Sequence, residues 1–328
     1  MPCRVEPYVD SPIAREELIQ FLRGQFADDP RSVWWPQRMA HWWDQNPYVN
    51  GLPHQGWVLR HEQGLAGFLG LIPADYAYQG QRVTAFIATS WVIAAEHRNA
   101  AVPMVMYLQR LGKSHLLLDT TPSPEVQAIN VRGGWKSEMK ARRVLVPMGM
   151  AGRALARVKG SPWPRLDAGR RITTDVKDVK RLVRPWQRED RLEKWITPES
   201  LRWYGASPSR QHQLVGVVDA EGTLTSYLWL TPNSRHGLTW WSLLEAFSTE
   251  ADDEELKAVV GSLVRREVVL PGPPAVLLSL MSFPQDARWS DVPGIKRDEV
   301  DVCHFHLCPA ALKTVVKHSV MAEGDYGL

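Results

Sequence analysis

The chain of 328 residues is 44% apolar and 23% charged, which supports packed cores in about two domains and excludes a chain that is disordered throughout. Its 39 basic and 36 acidic side chains leave a net charge of +3 with no basic block, so a nucleic-acid partner is not expected. No run reaches the roughly 18–20 apolar residues that span a bilayer, no apolar signal segment opens the chain, and three cysteines are too few for a disulfide framework; a cytoplasmic protein is expected.

In chain order, Val5 to Val9 reads as a strand, and Asp10-Ser11-Pro12 offers caps for a helix over Ala14 to Phe26, where Leu18, Phe21 and Leu22 share a face. Ser32 is placed to cap a second helix through Trp43, stopped at Asn46-Pro47. Strands follow at Gly56 to His61, Leu65 to Ile72 and Val83 to Ala94, separated by turns at Glu62-Gln63-Gly64 and at Tyr76 to Gly80. The period then changes to helical over Val102 to Leu111, which Gly112 closes. His115 to Asp119 is a short buried strand, Glu125 to Val131 a short helix closed by Gly133-Gly134, and Trp135 opens a strand pair that includes Arg143 to Val146.

From Gly149 to Leu166 the chain is basic and rich in Gly and Pro, as a linker is. Beyond it the pattern predicts helices over Asp175 to Trp186, Pro198 to Tyr204 and Asp252 to Val269. Strands are predicted at Gln213 to Val218, Leu224 to Leu230, Leu238 to Phe247, Ala275 to Leu280 and Val302 to Leu307, with Arg288 to Arg297 a loop. Trp43, Pro47, Trp57-Val58, Gly64 and Phe68-Leu69 recur in the same order as Trp203, Pro208, Gln213-Leu214, Gly222 and Tyr227-Leu228. The middle of the chain is thus present twice: a tryptophan-bearing helix, a strand, a turn at Gly and a second strand. A mixed α/β (α+β) sheet with helices on its faces is expected, in two modules spanning residues 1–148 and 167–328, joined by the linker 149–166.

Cys303-His304-Phe305-His306-Leu307-Cys308 has the residue types of a metal site. In a strand, alternation puts His304, His306 and Cys308 on one face and Cys303, Phe305 and Leu307 on the other, and a terminal strand without metal is expected. Trp34-Trp35 and Trp42-Trp43 lie about two helical turns apart and suit core packing, with an aromatic wall for a sugar or lipid as the alternative.

Thr89-Ser90-Trp91-Val92-Ile93-Ala94-Ala95-Glu96-His97-Arg98, followed by Asn99-Ala100-Ala101-Val102-Pro103, resembles the strand, phosphate turn and helix of the GCN5-related acetyltransferase (GNAT) family. Ala128-Ile129-Asn130-Val131-Arg132-Gly133-Gly134-Trp135 is similar to that family's closing motif, with Trp135 in place of Phe. The overall look is closest to double-GNAT proteins of exopolysaccharide synthesis and to Fem-like transferases. The resemblance implies a GNAT fold and an acetyl-CoA or other acyl-CoA co-substrate. It implies that the amides of Trp91, Val92 and Ile93 grip the thioester carbonyl. It further implies a pyrophosphate held at His97, Arg98, Asn99, Ala100, Ala101 and Val102, where a helix N-terminus presents unpaired N–H groups. Two of the family's glycines fall at Ala101 and Pro103.

Asn130 stands where many members have a tyrosine acid, and an amide cannot donate a proton in that way. Glu96 is a candidate base at the strand end, and Asp119 a substrate contact at the carboxyl end of the next strand. The second module places Glu250, Asp252, Asp253, Glu254 and Glu255 where the phosphate turn would be, which repels a pyrophosphate. An acyltransferase acting on a small-molecule or sugar-like acceptor, such as a cell-envelope precursor, is expected. A non-catalytic binding or scaffold protein and a Fem-like aminoacyl-tRNA-dependent transferase are the alternatives.

Overall fold

The structure is a computed structural model and describes residues 3–27, 34–48, 54–209, 211–250, 252–286 and 288–324. The first half runs β1 (Arg4–Pro7), α1 (Pro12–Gln25), α2 (Trp35–Met39), β2 (Gly56–His61), β3 (Gly64–Tyr78), β4 (Gln81–Ile93), α3 (Val102–Leu111), β5 (Leu116–Asp119), α4 (Pro124–Arg132) and β6 (Lys136–Pro147). After α5 (Met150–Val158) come β7 (Arg171–Thr173), β8 (Arg181–Leu182), β9 (Glu193–Lys194), α6 (Pro198–Gly205), β10 (Gln213–Val218), β11 (Thr223–Arg235), β12 (Leu238–Ser248), α7 (Glu254–Arg265), β13 (Leu277–Ser282) and β14 (Ile295–Leu307).

One mixed sheet joins these strands in the order β1-β2-β3-β4-β5-β14-β6-β13-β12-β11-β10-β7, with β8 against β11 and β9 against β3. The same pairing pattern occurs twice. β2, β3 and β4 form an antiparallel meander and β5 lies parallel to β4; β10, β11 and β12 form another, with β13 parallel to β12. The last strands are exchanged between the halves: β14 pairs antiparallel with β5, β6 pairs antiparallel with β13, and the two pair with each other at the centre.

Local sequence accounts for most elements. Ser11 caps α1 by accepting from the Ala14 N–H, and Thr197 and Ser200 form a reciprocal capping box on α6. Gly64 and Gly222, at φ 124° and 83°, make the two repeated turns. Trp35, Trp42 and Trp43 are buried in the core with Leu18, Leu22 and Phe68, and the Arg38 guanidinium lies 4.7 Å from the rings of both Trp35 and Trp42. The predicted cap Ser32 lies outside the described residues, and the helix widens to a π-turn at Ala40–Asp44. Alternation along β14 is as read: Phe305, Cys303 and Leu307 pack in one core cluster, and Cys308 in another on the opposite face.

Several expectations need correction. β3 and β11 run on through Pro73 and Pro232 instead of stopping at Ile72 and Leu230. β2 ends opposite Gly70 and β10 opposite Leu230, so each proline sits where its strand is an edge on that side and a missing N–H is tolerated. The helix predicted over Asp175 to Trp186 is a 3-10 turn at Val176–Asp178 followed by β8; Val179 is extended, and Pro185 bars a continuing helix. A helix, α5, occupies the start of the segment read as linker, burying Gly152 and Ala156. β14 starts at Ile295, inside the predicted loop, because β6 offers it a partner from Leu145 onward.

Phe305 is 2% exposed and packs with Met104, Leu108 and Leu117 of the first half although it belongs to the end of the chain. Phe305→Ala should destabilise the protein by about 3–5 kcal/mol. Urea unfolding followed by tryptophan fluorescence and by far-UV circular dichroism should show coincident curves shifted to lower denaturant. Separate transitions for the two signals would contradict a shared sheet.

Candidate functional site

β4 and β5 are hydrogen-bonded only from Ala85–Ile87 to Leu116–Leu118. Beyond Ile87 the strands part, because β5 ends at Asp119 beside Phe305 of β14 while β4 continues to Ile93. The mouth of this opening carries a β-bulge: Gly70 faces Thr89 and Phe68 faces Val92, so Ser90 and Trp91 together oppose Leu69. Ser90 has φ 49°, a left-handed conformation uncommon outside glycine. A bulge takes backbone groups out of the ladder and twists the strand, here at Ser90 and Trp91, while Val92 and Ile93 are back in register with Phe68 and Gly67.

Asp119 and Asn130 meet at the floor of this region. The Asn130 Nδ2 donates to Asp119 Oδ2 at 2.8 Å, and both residues are buried. The amide at the position of the family's acid therefore holds a carboxylate. Asp119 also acts at a distance on Cys303, whose thiol is pushed up by burial and by that charge. Glu96 is elsewhere: it is exposed in a 3-10 helix (Ala95–Ala100) between β4 and α3.

The residues expected to cradle a pyrophosphate lie in that 3-10 helix and at the start of α3. Their amides are largely engaged. The His97 N–H donates to Ala94 O at 2.9 Å, Ala101 N–H to Arg98 O at 3.2 Å and Met104 N–H to Ala101 O at 3.0 Å, and Pro103 has no N–H. Arg98 and Asn99 are exposed, Ala100 is half-buried, and Val102 opens α3 with its side chain exposed. The His97 imidazole turns toward β1 and β2, with Nδ1 3.4 Å from Cys3 Sγ and its ring 4.8 Å from that of His61. A phosphate there would meet the Arg98 side chain instead of a ring of free amides.

The matching opening in the second half lies between β12 and β13, which pair only at Trp240–Ser242 and Leu277–Ser279. It too has a bulge, at Leu244. Here the chain itself fills the gap. The Ala322 N–H donates to Leu244 O at 2.9 Å, Arg288 Nη1 donates to Ala246 O at 2.8 Å, and His318 Nε2 lies 3.1 Å from Asp286 Oδ2. About 20 Å³ remains, room for about one water.

The tail that plugs this opening also builds a buried polar centre between the halves. Glu323, 2% exposed, accepts from Tyr76 OH at 2.7 Å and from Lys317 Nζ at 2.6 Å, and His304 Nδ1 lies 3.5 Å away. Nearby, Tyr227 OH donates to Glu245 at 2.9 Å, and Lys194 pairs with the same carboxylate. A cavity of about 40 Å³ between the two groups is lined by Tyr48, Tyr76, Lys194, Tyr227 and Glu323. Burial would raise the Glu323 carboxyl, but Lys317 and His304 hold it well below the usual range. Burial, together with the Lys317 charge, pushes His306 down to about 3. Of these residues the sequence singled out only His304 and His306, as part of the Cys303–Cys308 segment and not for this centre. Glu245 carried a signal, an acid within Leu243-Leu244-Glu245-Ala246-Phe247; Glu323 sits in a tail with no pattern.

With this geometry in view, the meander, the parting strands and the bulge define the GNAT fold. No protein-family model and no curated protein sequence matches the chain. Among solved structures it is similar to a conserved protein of unknown function from Enterococcus faecalis, described as a probable N-acyltransferase: 11% identity, TM-score 0.62, covering 93% of this chain and 71% of that one. It is also similar to a GCN5-related N-acetyltransferase from Anabaena variabilis, at 12% identity and TM-score 0.58, covering 92% of this chain and 72% of that one. No helix among the described residues is long and apolar enough to cross a membrane.

Two predictions follow from the buried centre. Lys317→Met leaves the Glu323 carboxylate without its cation and should destabilise the protein by about 3–5 kcal/mol, read from urea unfolding at neutral pH. Acid should also destabilise the wild type. Both Glu323 and His306 have folded pKa values below their unfolded ones, so the unfolded state binds more protons as pH falls. His306 begins to contribute below its unfolded value of about 6.5 and Glu323 only below the ordinary carboxylate range. The thermal midpoint should fall from pH 6.5 downward, and His306→Gln should flatten the upper part of that decline; an unchanged slope would contradict this.

Proposed function

We propose that the protein transfers an acyl group from a CoA thioester to an amine or hydroxyl of a small-molecule acceptor, at the opening between β4 and β5. The observation that supports this most is the bulge at Ser90 and Trp91 beside the parted strands. Backbone donors of the Trp91–Ile93 segment would polarise the thioester carbonyl, where negative charge develops. Asp119, held by Asn130, would take the acceptor's proton as nitrogen or oxygen attacks the carbonyl carbon. The carbon–sulfur bond then breaks, and the CoA thiolate leaves and is protonated by water. Arg98 would meet the phosphates, and Glu96, exposed in the 3-10 helix, takes no part in this step.

In this reading residues 1–148 are the acyltransferase module, 149–166 connect it, and 167–328 form a degenerate second module whose own opening is closed by the tail. A sugar-like or cell-envelope acceptor fits the resemblance to the exopolysaccharide-associated group. Acetyl-CoA is one candidate donor among acyl-CoAs, and three free cysteines suit a reducing cytoplasm. A second reading, a GNAT-fold binding protein without catalysis, is favoured by the engaged amides at His97, Ala101 and Met104 and by Pro103.

Calorimetric titration with acetyl-CoA and with longer acyl-CoAs separates the two. The transferase reading expects saturable binding, weakened about tenfold in Arg98→Glu at low salt by like-charge repulsion. Asp119→Asn should leave that binding intact and lower turnover by about 10²-fold or more. No saturable heat at millimolar ligand leaves the binding protein as the better account.

A further inference from the structure

One face of the second half, formed by α5 and the loop after α7, carries exposed apolar side chains among unbalanced cations. From Met139 to Leu166 the chain has no acid, while Arg153, Arg157, Lys159 and Arg165 lie in α5 or shortly after it. α5 buries Gly152 and Ala156; a Cβ at Gly152 would strike Pro147 O at the end of β6 and Val264 of α7. That orientation turns Met150, Ala154 and Val158, each four residues from the last, onto one outward ridge, with Arg153 and Arg157 beside it. Met150 is 86% exposed and Val158 84%, so the ridge is uncovered.

The loop from α7 to β13 continues this face. Arg266, left-handed at φ 62°, closes α7, and its Nε would lie 3.1 Å from a Cβ at Gly149, next to Met150. Arg266 also lines a shallow apolar groove of about 160 Å³ with Met148, Val268, Leu270 and Pro273, beside which Val269 stands 84% exposed. The cations are held by neutral carbonyls and keep their charge. Arg153 donates to Arg265 O, Arg266 Nη2 to Ala275 O at 3.3 Å and Lys159 Nζ to Gly294 O at 2.7 Å. Arg157 is exposed and makes no hydrogen bond or ion pair among the described residues. Glu267 is taken by Arg265 at 2.8 Å.

Charge and shape together choose the partner. A folded protein partner calls for anchors seated in pockets, aromatic ones above all, whereas Met150, Val158 and Val269 stand singly and none is aromatic. A soft surface needs no matching shape: each side chain can enter it alone, and cations around the apolar tips are attracted to anionic headgroups. We infer that α5 and the loop after α7 dock the protein on an anionic lipid surface. Met150, Val158 and Val269 enter the headgroup boundary, and Arg153, Arg157 and Arg266 meet the lipid phosphates. The contact is peripheral and uses no residue of the β4–β5 opening.

The test is co-sedimentation of the full chain with vesicles of phosphatidylcholine, alone or mixed with phosphatidylglycerol. The protein should pellet with the mixed vesicles, not with phosphatidylcholine alone, and less so as salt rises. Arg153→Glu/Arg157→Glu should weaken the binding about tenfold or more. Met150→Ser/Val158→Ser should weaken it too and, both side chains being exposed, leave the thermal midpoint in place. A charge-matched control on exposed residues of the first half, Arg23→Glu/Lys113→Glu, should bind as the wild type does. The inference is overturned by any of four results: no binding to the mixed vesicles, equal binding to both kinds, unchanged affinity in Met150→Ser/Val158→Ser, or an equal loss in the charge-matched control. Self-association in sedimentation velocity without vesicle binding would assign the face to a second copy of the chain and overturn it as well.

Discussion

Every strand must pair its backbone groups, and here β5 and β13 find their second partners in the other half of the chain. β14 lies against β5 and β6 against β13, so the two halves share one run of hydrogen bonds through the β6–β14 pair. This exchange decides where the end of the chain can go. β14 finishes in the middle of the molecule, and the residues after it must pass between the halves. A buried carboxylate such as Glu323 is tolerable there because Lys317, Tyr76 and His304 surround it.

The exchange also separates two openings that are otherwise built alike. Both follow a long bulged strand whose parallel neighbour pairs with it over three residues. In the second half the tail donates to the carbonyl of the bulge residue Leu244, and Arg288 reaches Ala246, so the backbone a ligand would use is already bonded. In the first half, among the described residues, the tail bonds to Tyr76 through Glu323 and approaches the end of β5 where Thr120 Oγ1 lies 3.5 Å from Glu323 O. The first opening keeps the re-aimed backbone of Ser90 and Trp91 and the Asp119–Asn130 pair, but the phosphate end has a 3-10 helix in place of a nest of amides. If a thioester binds there, its acyl end is the better-prepared half of the contact.

Much of this was legible in the sequence because the signals are local. Ser11, Thr197, Gly64 and Gly222 set caps and turns through their own backbone geometry, and alternation placed His304 and Phe305 on opposite faces of β14. Asp119 and Asn130 were both chosen as site residues, on separate grounds, and the fold brings them into contact. What failed was not local. Pro73 and Pro232 look like strand breakers until the short neighbours β2 and β10 are seen to end first. The valines and charges of 175–186 carry a helical count but are claimed by pairing with β11 and stopped at Pro185. Nothing near β6 or β14 says that each pairs outside its own half, so the plugged opening and the Glu323 centre were out of reach. The engaged amides of His97, Ala101 and Met104 depend on whether the turn tightens to a 3-10 helix, which Ala101 and Pro103 hinted at only by not being glycine.

Hydrogen–deuterium exchange of the full chain, with and without a saturating acyl-CoA, tests most directly whether one opening is usable and the other closed. The account predicts added protection in the backbone of residues 88–93 and no change in residues 243–248, which the tail already covers. Protection gained at 243–248, or at neither segment under conditions where the ligand is bound, would contradict it.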